Sequence, residues 1–428
     1  MKYGKLFCYL LGIGIHLLFW GSLYYGFLNP FFCDSTHRSG QASDFFTHYQ
    51  ASFNYWQGRS LYQQIQLSEE KVVPYCYDKF RFFPSSPWLV GAWITSFSPW
   101  RSYWIWILIN EILLGLMLFF AWRWEPTRFH YSFLLGMAFT PLYLEWYMGQ
   151  FSFVVAASLF FIGYGLSQKK AYLTAFAFYG SVFIKYYGVI LIPFFAWNFQ
   201  RFKALWFGFL LLLGITFIPY FSQRPEELKL LQEAHALGGS HGGNLGLRAL
   251  LYTLGDLLHG QRVMRQIPDY RLPPAVNPHE RPWFSRLLYD YLWLLWFGLV
   301  AWRTLSVDRS QDIAVLSLWI LLFFLLSKDV WEHHYVVLIP VFFFWNAQEN
   351  LGRFVRWCFL FLAIPTPFFG MDVALPPTLD PEPYWSNLEV LLYHSSKSLP
   401  VLFLFLYIYF KSAPASSPTL SVENPVSS

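Results

Sequence analysis

The chain has 428 residues, with thirty basic and twenty-five acidic side chains, a formal net charge of +5 and 56% apolar residues. Charged residues make up 13% and Phe, Trp and Tyr together 22%, whereas an ordinary soluble domain is about 25% charged. Too few charges remain for a polar shell or a large basic field, which excludes a soluble fold, a disordered chain, a coiled coil and a nucleic-acid partner, and predicts an all-α polytopic membrane protein.

A spanning helix needs about 20 mostly apolar residues. The first run, Leu6 to Leu28, follows Lys2 and Lys5 and has no small-residue cleavage site, so it reads as an uncleaved anchor. A polar external loop, 29–83, comes next. Apolar runs resume at Pro84–Ser98, Tyr103–Trp122, Tyr131–Tyr147, Phe151–Leu166, Ala171–Ile184, Tyr187–Trp197 and Leu205–Phe221. A second polar stretch covers 222–286. It is followed by Leu287–Ala301, Ile313–Leu326, Tyr335–Asn346, Phe354–Phe369 and Leu388–Phe410. These 13 continuous runs, several of them short, predict 11 to 13 spans and argue against an alternating barrel. Residues 1–411 read as a single membrane domain. The Ser- and Pro-rich tail, 412–428, reads as disordered.

Basic clusters mark the cytoplasmic side. They lie at Lys2/Lys5, Arg123/Arg128, Lys169/Lys170, Arg201/Lys203, Arg303/Arg309, Arg353/Arg356 and Lys411. Even numbers of crossings separate them, except between Lys5 and Arg123, where three runs intervene. Either Pro84–Ser98 is re-entrant or the Arg123 cluster is external. Both large loops then face the side opposite the N-terminus, which in a bacterium is the periplasm. Cys33 and Cys76 share the first loop, where an oxidising compartment permits a disulfide. The alternative is two buried thiols.

Polar residues are costly in a membrane protein away from water, so they direct the search for function. In the first loop, Phe45, Phe46, Tyr49, Phe53 and Trp56 recur at spacings of three and four, predicting a short amphipathic helix on the membrane surface. Ser43 or Asp44 would cap it and Gly58 would end it. Lys185 follows Phe183-Ile184 at a span end, and His333 and His334 lie beside Trp331 at another. Each has a plainer reading. Asp44 could be a helix cap, Lys185 a snorkelling side chain, and the His pair an interfacial decoration in which only one ring faces a cavity, His334 being favoured. Glu332 would orient a His. Asn110 and Glu111 are buried within an apolar run with no evident partner.

The order of these blocks is specific. Asp44-Phe45, then Tyr49, Gly58 and Tyr62, resembles the first-loop motif of glycosyltransferase family 87. Phe83-Pro84, Gly149-Gln150, Lys185, Asn244-Leu245-Gly246-Leu247-Arg248 and Trp331-Glu332-His333-His334-Tyr335-Val336 resemble later blocks of the same family, in order, over roughly residues 40 to 345. The chain departs from the family pattern after Lys185, where Tyr186-Tyr187-Gly188 stands in place of a nearby Pro. The resemblance implies a GT-C fold and an inverting transfer of a sugar, mannose foremost, from a polyprenyl-phosphate donor to a glycan or glycolipid acceptor. It implies Asp44 as general base. Within the matched blocks Lys185, His333 and His334 are candidates for the donor phosphate, and Tyr49, Gln150 and Asn244 for sugar or acceptor; Arg81 is a further electrostatic candidate for the phosphate. No cofactor or metal is implied, and the His pair lacks a zinc-like spacing. The chemistry agrees with that set. Phosphate leaves without a proton but needs positive charge and donors, and the attacking hydroxyl needs one carboxylate. Two other readings share these residues: a transporter or flippase for a lipid-linked sugar, and an O-antigen ligase or polymerase with a diphosphate donor.

Overall fold

A computed structural model describes residues 2–29, 40–62, 70–76, 80–197, 199–236, 245–258, 283–327, 330–348, 352–366 and 387–412. Among these the secondary structure is helix and turn, with no strand. In chain order the α-helices are α1 (Lys2–Tyr25), α2 (Ser43–Trp56), α3 (Pro99–Trp124), α4 (Phe129–Ala138), α5 (Thr140–Met148), α6 (Ser152–Ser167) and α7 (Ala171–Phe183). Then come α8 (Ile192–Trp197), α9 (Lys203–Thr216), α10 (Ile218–Gln223), α11 (Glu226–Ala236), α12 (Leu247–Leu258) and α13 (Trp283–Ser306). The last four are α14 (Asp312–Leu326), α15 (Ile339–Gln348), α16 (Arg353–Ala363) and α17 (Asn387–Lys411).

Four helices among the described residues are long and apolar enough to cross a membrane: Tyr3–Tyr25, Pro99–Trp124, Gln200–Gln223 and Leu391–Lys411. Their boundaries follow from local chemistry. Gly26 ends α1 in a left-handed conformation at φ 73°, its N–H bonded to the Ser22 carbonyl, as a helix C-terminus favours. Pro99 opens α3 at a position where its missing N–H is harmless. α1 buries Phe19 and Leu23 while Leu6, Phe7, Leu10 and Leu17 are exposed, a surface that only lipid would solvate. α14 is apolar and buried on nearly every side, which makes it a central helix. α6 packs against α7, α1 against α4, and α17 against α12, α14 and α16.

Pro84–Ser98 forms no helix among the four long enough to cross. A π-helical turn, Pro87–Gly91, runs into three α-helical residues, Ala92–Ile94, a length of about 12 Å at 1.5 Å per residue. Both of its ends touch the same helix. His48 of α2 meets Ser86 at 2.6 Å, and the adjacent Tyr49 donates to the Phe97 carbonyl at 2.7 Å. Both ends of the segment are thus held against the same stretch of α2.

The first-loop helix forms as expected, but not as a surface helix. Phe45 to Ser52 and Asn54 are buried around α2 on both its aromatic and its polar side. Two elements cover the side expected to face water. The 84–98 segment packs on one flank, where Gly91 approaches so closely that a Cβ there would lie 2.7 Å from that of Ser52. On the other, α10 and α11 clamp the loop after α2: Tyr220 and Glu227 accept the Leu61 N–H at 3.1 and 3.2 Å, and Tyr55 stacks on Tyr220. Neither Ser43 nor Asp44 caps the helix. The N-cap is Ala42, in a left-handed conformation at φ 65° with no side-chain cap bond. Gly58 follows the helix end at φ 70°, as its sequence position implied. Cys33, Asn244 and residues 413–428 lie outside the described residues, whereas Cys76 is half-buried.

Candidate functional site

The site is assembled at the junction of α5 and α6. Gly149 sits at φ 68° just past α5, its N–H bonded to the Trp146 carbonyl and that of Gln150 to the Glu145 carbonyl. This paired arrangement is a Schellman termination, which glycine favours because it lacks the Cβ that strains a left-handed residue. A second constraint acts there: a Cβ on Gly149 would stand 2.5 Å from the Phe45 Cβ. The close approach brings α2 onto the junction. The Ala42 N–H bonds to the Tyr147 carbonyl at 2.7 Å, and His48 stacks on Phe151 at 4.3 Å. Asp44, in the first turn of α2, is thereby placed over Gln150.

Lys185 lies in extended backbone between α7 and a 3-10 turn, Tyr186–Leu191. It points inward rather than snorkelling, with 5% exposure. Its ammonium donates to Gln150 Oε1 at 2.9 Å and Ser152 Oγ at 2.7 Å, beside the rings of Tyr187 and Phe82. With Oε1 taken by Lys185, the Gln150 amide N–H bonds to Asp44, so Gln150 links cation to acid. Asp44 Oδ2 is buried and has no hydrogen-bond partner. Burial pushes the Asp44 carboxyl up to about 7, against the downward pull of Lys185, the Gln150 hydrogen bond and Arg81. A carboxyl near neutrality is suited to accept a proton at physiological pH. His48, beneath it on α2, is pushed down to about 3 by burial and stays neutral.

The His block forms a 3-10 segment, Glu332–Leu338, packed on α5 and α6. Here the roles of the two rings reverse the expectation. His334 Nδ1 accepts the Trp331 N–H at 3.2 Å, so its proton is on Nε2 and is donated to the Tyr187 hydroxyl at 2.6 Å. Both nitrogens of His334 are occupied in holding the fold. His333, 2% exposed, has neither nitrogen hydrogen-bonded. The two rings diverge because consecutive helical side chains point in different directions. His333 therefore replaces His334 as the available ring. Glu332 does not orient a His: it accepts the Thr366 N–H at 2.7 Å and lies 3.5 Å from Lys397.

The Tyr49 hydroxyl donates to the Phe97 carbonyl and so ties α2 to the 84–98 segment. Arg81 is half-buried and its charge reaches Asp44. Asn244 lies outside the described residues. The residue after it, Leu245, donates to the Val330 carbonyl at 2.7 Å and accepts from the Tyr335 hydroxyl at 3.0 Å, on both sides of the His block. Glu111, without an evident partner in the sequence, meets His16 Nε2 at 3.0 Å and accepts from Trp20 Nε1 at 2.6 Å.

One site residue is absent from the sequence reading. Glu145, 1% exposed, lies in the α5 turn that ends at Gly149, and its charge interacts with those of Lys185 and Asp44. Its signal was present: an acid inside the apolar run Tyr131–Tyr147. Among the described residues no group of three or more His, Cys, Asp or Glu side chains converges as metal ligands do. The arrangement thus offers a carboxyl with an unpaired oxygen and an unpaired imidazole, each within electrostatic reach of one buried ammonium. No known protein-family model matches the chain, and no curated protein matches it in sequence.

Proposed function

We propose that this protein is an integral-membrane inverting glycosyltransferase of the GT-C type, with 11 to 13 spans. It moves a sugar, mannose by family resemblance, from a polyprenyl-phosphate donor to a glycan or glycolipid acceptor at the external face of a bacterial inner membrane. The observation that carries the reading is the buried Lys185 ammonium, bonded to Gln150 and close enough to interact with the charges of Asp44 and His333, from three distant stretches of chain. Each is buried or half-buried, and Asp44 Oδ2 and both His333 nitrogens have no hydrogen-bond partner. Unpaired buried polar atoms cost about 1–3 kcal/mol each, a cost best explained by a ligand that satisfies them.

The roles follow from charge. The acceptor hydroxyl oxygen bonds to the anomeric carbon from the face opposite the phosphate. The carbon–oxygen bond to phosphate breaks, and its electron pair stays on the phosphate. The hydroxyl proton passes to Asp44 Oδ2. Lys185, with Arg81 at the rim, balances the charge developing on the leaving oxygen, and His333 donates to it. Such preorganised donors are worth most in a water-poor site. The phosphate would sit at the interface with its lipid tail among the helices.

The test uses purified protein in lipid nanodiscs with labelled polyprenyl-phosphate mannose and a membrane acceptor fraction. Asp44→Asn is expected to lower transfer by about 10³-fold, within the range for a lost general base, while retaining donor binding. Full transfer in that variant, or movement of the intact donor across the membrane without release of polyprenyl phosphate, overturns the reading.

A further inference from the structure

Glu145 carries more than the proposed chemistry assigns to it. Its Oε1 accepts the Phe153 N–H at 2.6 Å at the start of α6, next to Ser152, whose hydroxyl holds the Lys185 ammonium. Its Oε2 is buried with no hydrogen-bond partner. One oxygen of the carboxyl is therefore anchored and the other unpartnered, in a group whose charge interacts with that of Lys185.

Which protonation state it holds is decided by the charge balance once a donor is bound. Among the described residues the cations acting on Asp44 are Lys185 and Arg81. The anions are Asp44 and the donor phosphate. These four already balance. An ionised Glu145 would leave a net negative charge in a buried site and put a third anion against the other two, which is strongly unfavourable at low dielectric. Opposing this are Lys185 and the backbone N–H groups of α6, but the phosphate competes for the same ammonium. The other titratable groups facing α5 are His333 and His334, on the 3-10 segment packed against it, and His16, which is bonded to Glu111 and touches α5 through Trp146.

Resting on the glycosyltransferase reading, we propose that Glu145 works as a neutral carboxylic acid whose Oε2–H donates a hydrogen bond to the leaving phosphate oxygen. Atoms balance without consuming that proton: it remains on Glu145 while the acceptor proton goes to Asp44. The two acids divide the work, one taking a proton and the other lending a hydrogen bond. A buried carboxyl with an unpartnered oxygen then has a physical explanation, since its partner arrives with the substrate.

Two measurements test this. In transfer assays, Glu145→Ala lowers kcat about 100-fold, the scale for losing one donor to developing charge, with a much smaller change in KM. Glu145→Gln, which keeps both the Phe153 anchor and a neutral donor, recovers at least about tenfold of that loss. In infrared spectra of the polyprenyl-monophosphate complex at neutral pH, taken in an Asp44→Asn background so that Asp44 does not contribute, the protein shows the carbonyl stretch of a protonated carboxyl, and adding Glu145→Gln removes it. A Gln variant as impaired as the Ala variant, or no protonated-carboxyl band that disappears in Glu145→Gln, overturns the proposal. The infrared result does not require turnover, so it stands apart from the Asp44→Asn transfer test of the underlying reading.

Discussion

Asp44→Asn has a consequence for stability as well as for transfer. In the folded chain the Asp44 carboxyl is raised from an ordinary 3.8 to about 7, chiefly by burial. Between these values the unfolded chain ionises Asp44 while the folded chain keeps it protonated, so folding stability falls as pH rises through this window. The shift is about three units, and each unit is about 1.4 kcal/mol, so the ionised carboxylate costs up to about 4 kcal/mol above pH 7 and nothing below about pH 4. Asparagine removes that term. Thermal unfolding of wild type and Asp44→Asn in the same detergent, followed from pH 4 to pH 8, should give similar midpoints at the acid end. The variant should become progressively more stable, reaching a plateau above pH 7. Wild-type transfer should show the matching limb, with about one-tenth of its plateau rate at pH 6, because the protonated base is inactive. A stability difference that does not change with pH, or a transfer rate flat from pH 5 to 8, refutes the buried-base argument.

Three further outcomes follow from the packing. His333→Ala should reduce transfer with little loss of stability, whereas His334→Phe should destabilise by about 1–3 kcal/mol through loss of its hydrogen bonds to the Tyr187 hydroxyl and the Trp331 N–H; thermal shift and transfer assays on both variants check the two roles. Gly149→Ala should cost about 2 kcal/mol or more, from the left-handed backbone and the collision with Phe45, read as a lowered unfolding midpoint and reduced transfer. Lys397→Met should destabilise by about 3 kcal/mol, because this fully buried ammonium donates to the Phe361, Leu362 and Ile364 carbonyls and faces Glu332. Removing it leaves the carbonyls at the end of α16 and the charge of Glu332 without their cation, and thermal unfolding reports the loss.

Much of the architecture was readable from apolar periodicity, because lipid exposure demands long apolar stretches whatever the tertiary arrangement. The α2 helix was legible from the spacing of Phe45, Tyr49 and Phe53, and its end from Gly58. Its surroundings were not. A face that is polar in sequence reads as solvated, yet Gln50 is buried because Asn54 and the Glu70 carbonyl meet its amide. Tyr49 and His334 were assigned to ligands because aromatic hydroxyls and imidazoles bind sugars and phosphates, but which partner occupies them is a matter of angle. Glu145 went unread although the rule that singled out Glu111 applies equally to it.

The sequence by itself determined the solvent of this protein, its helical class and the small set of ionisable residues not needed for topology, since composition and hydropathy are properties of the chain alone. Tertiary structure decided which of those residues meet. Whether Pro84–Ser98 crosses or turns back, whether His333 or His334 is free, and whether a second acid lies near Asp44 all depend on contacts between segments far apart in the chain. Those contacts are set by close approaches such as Gly149 against Phe45, whose geometry no local pattern encodes.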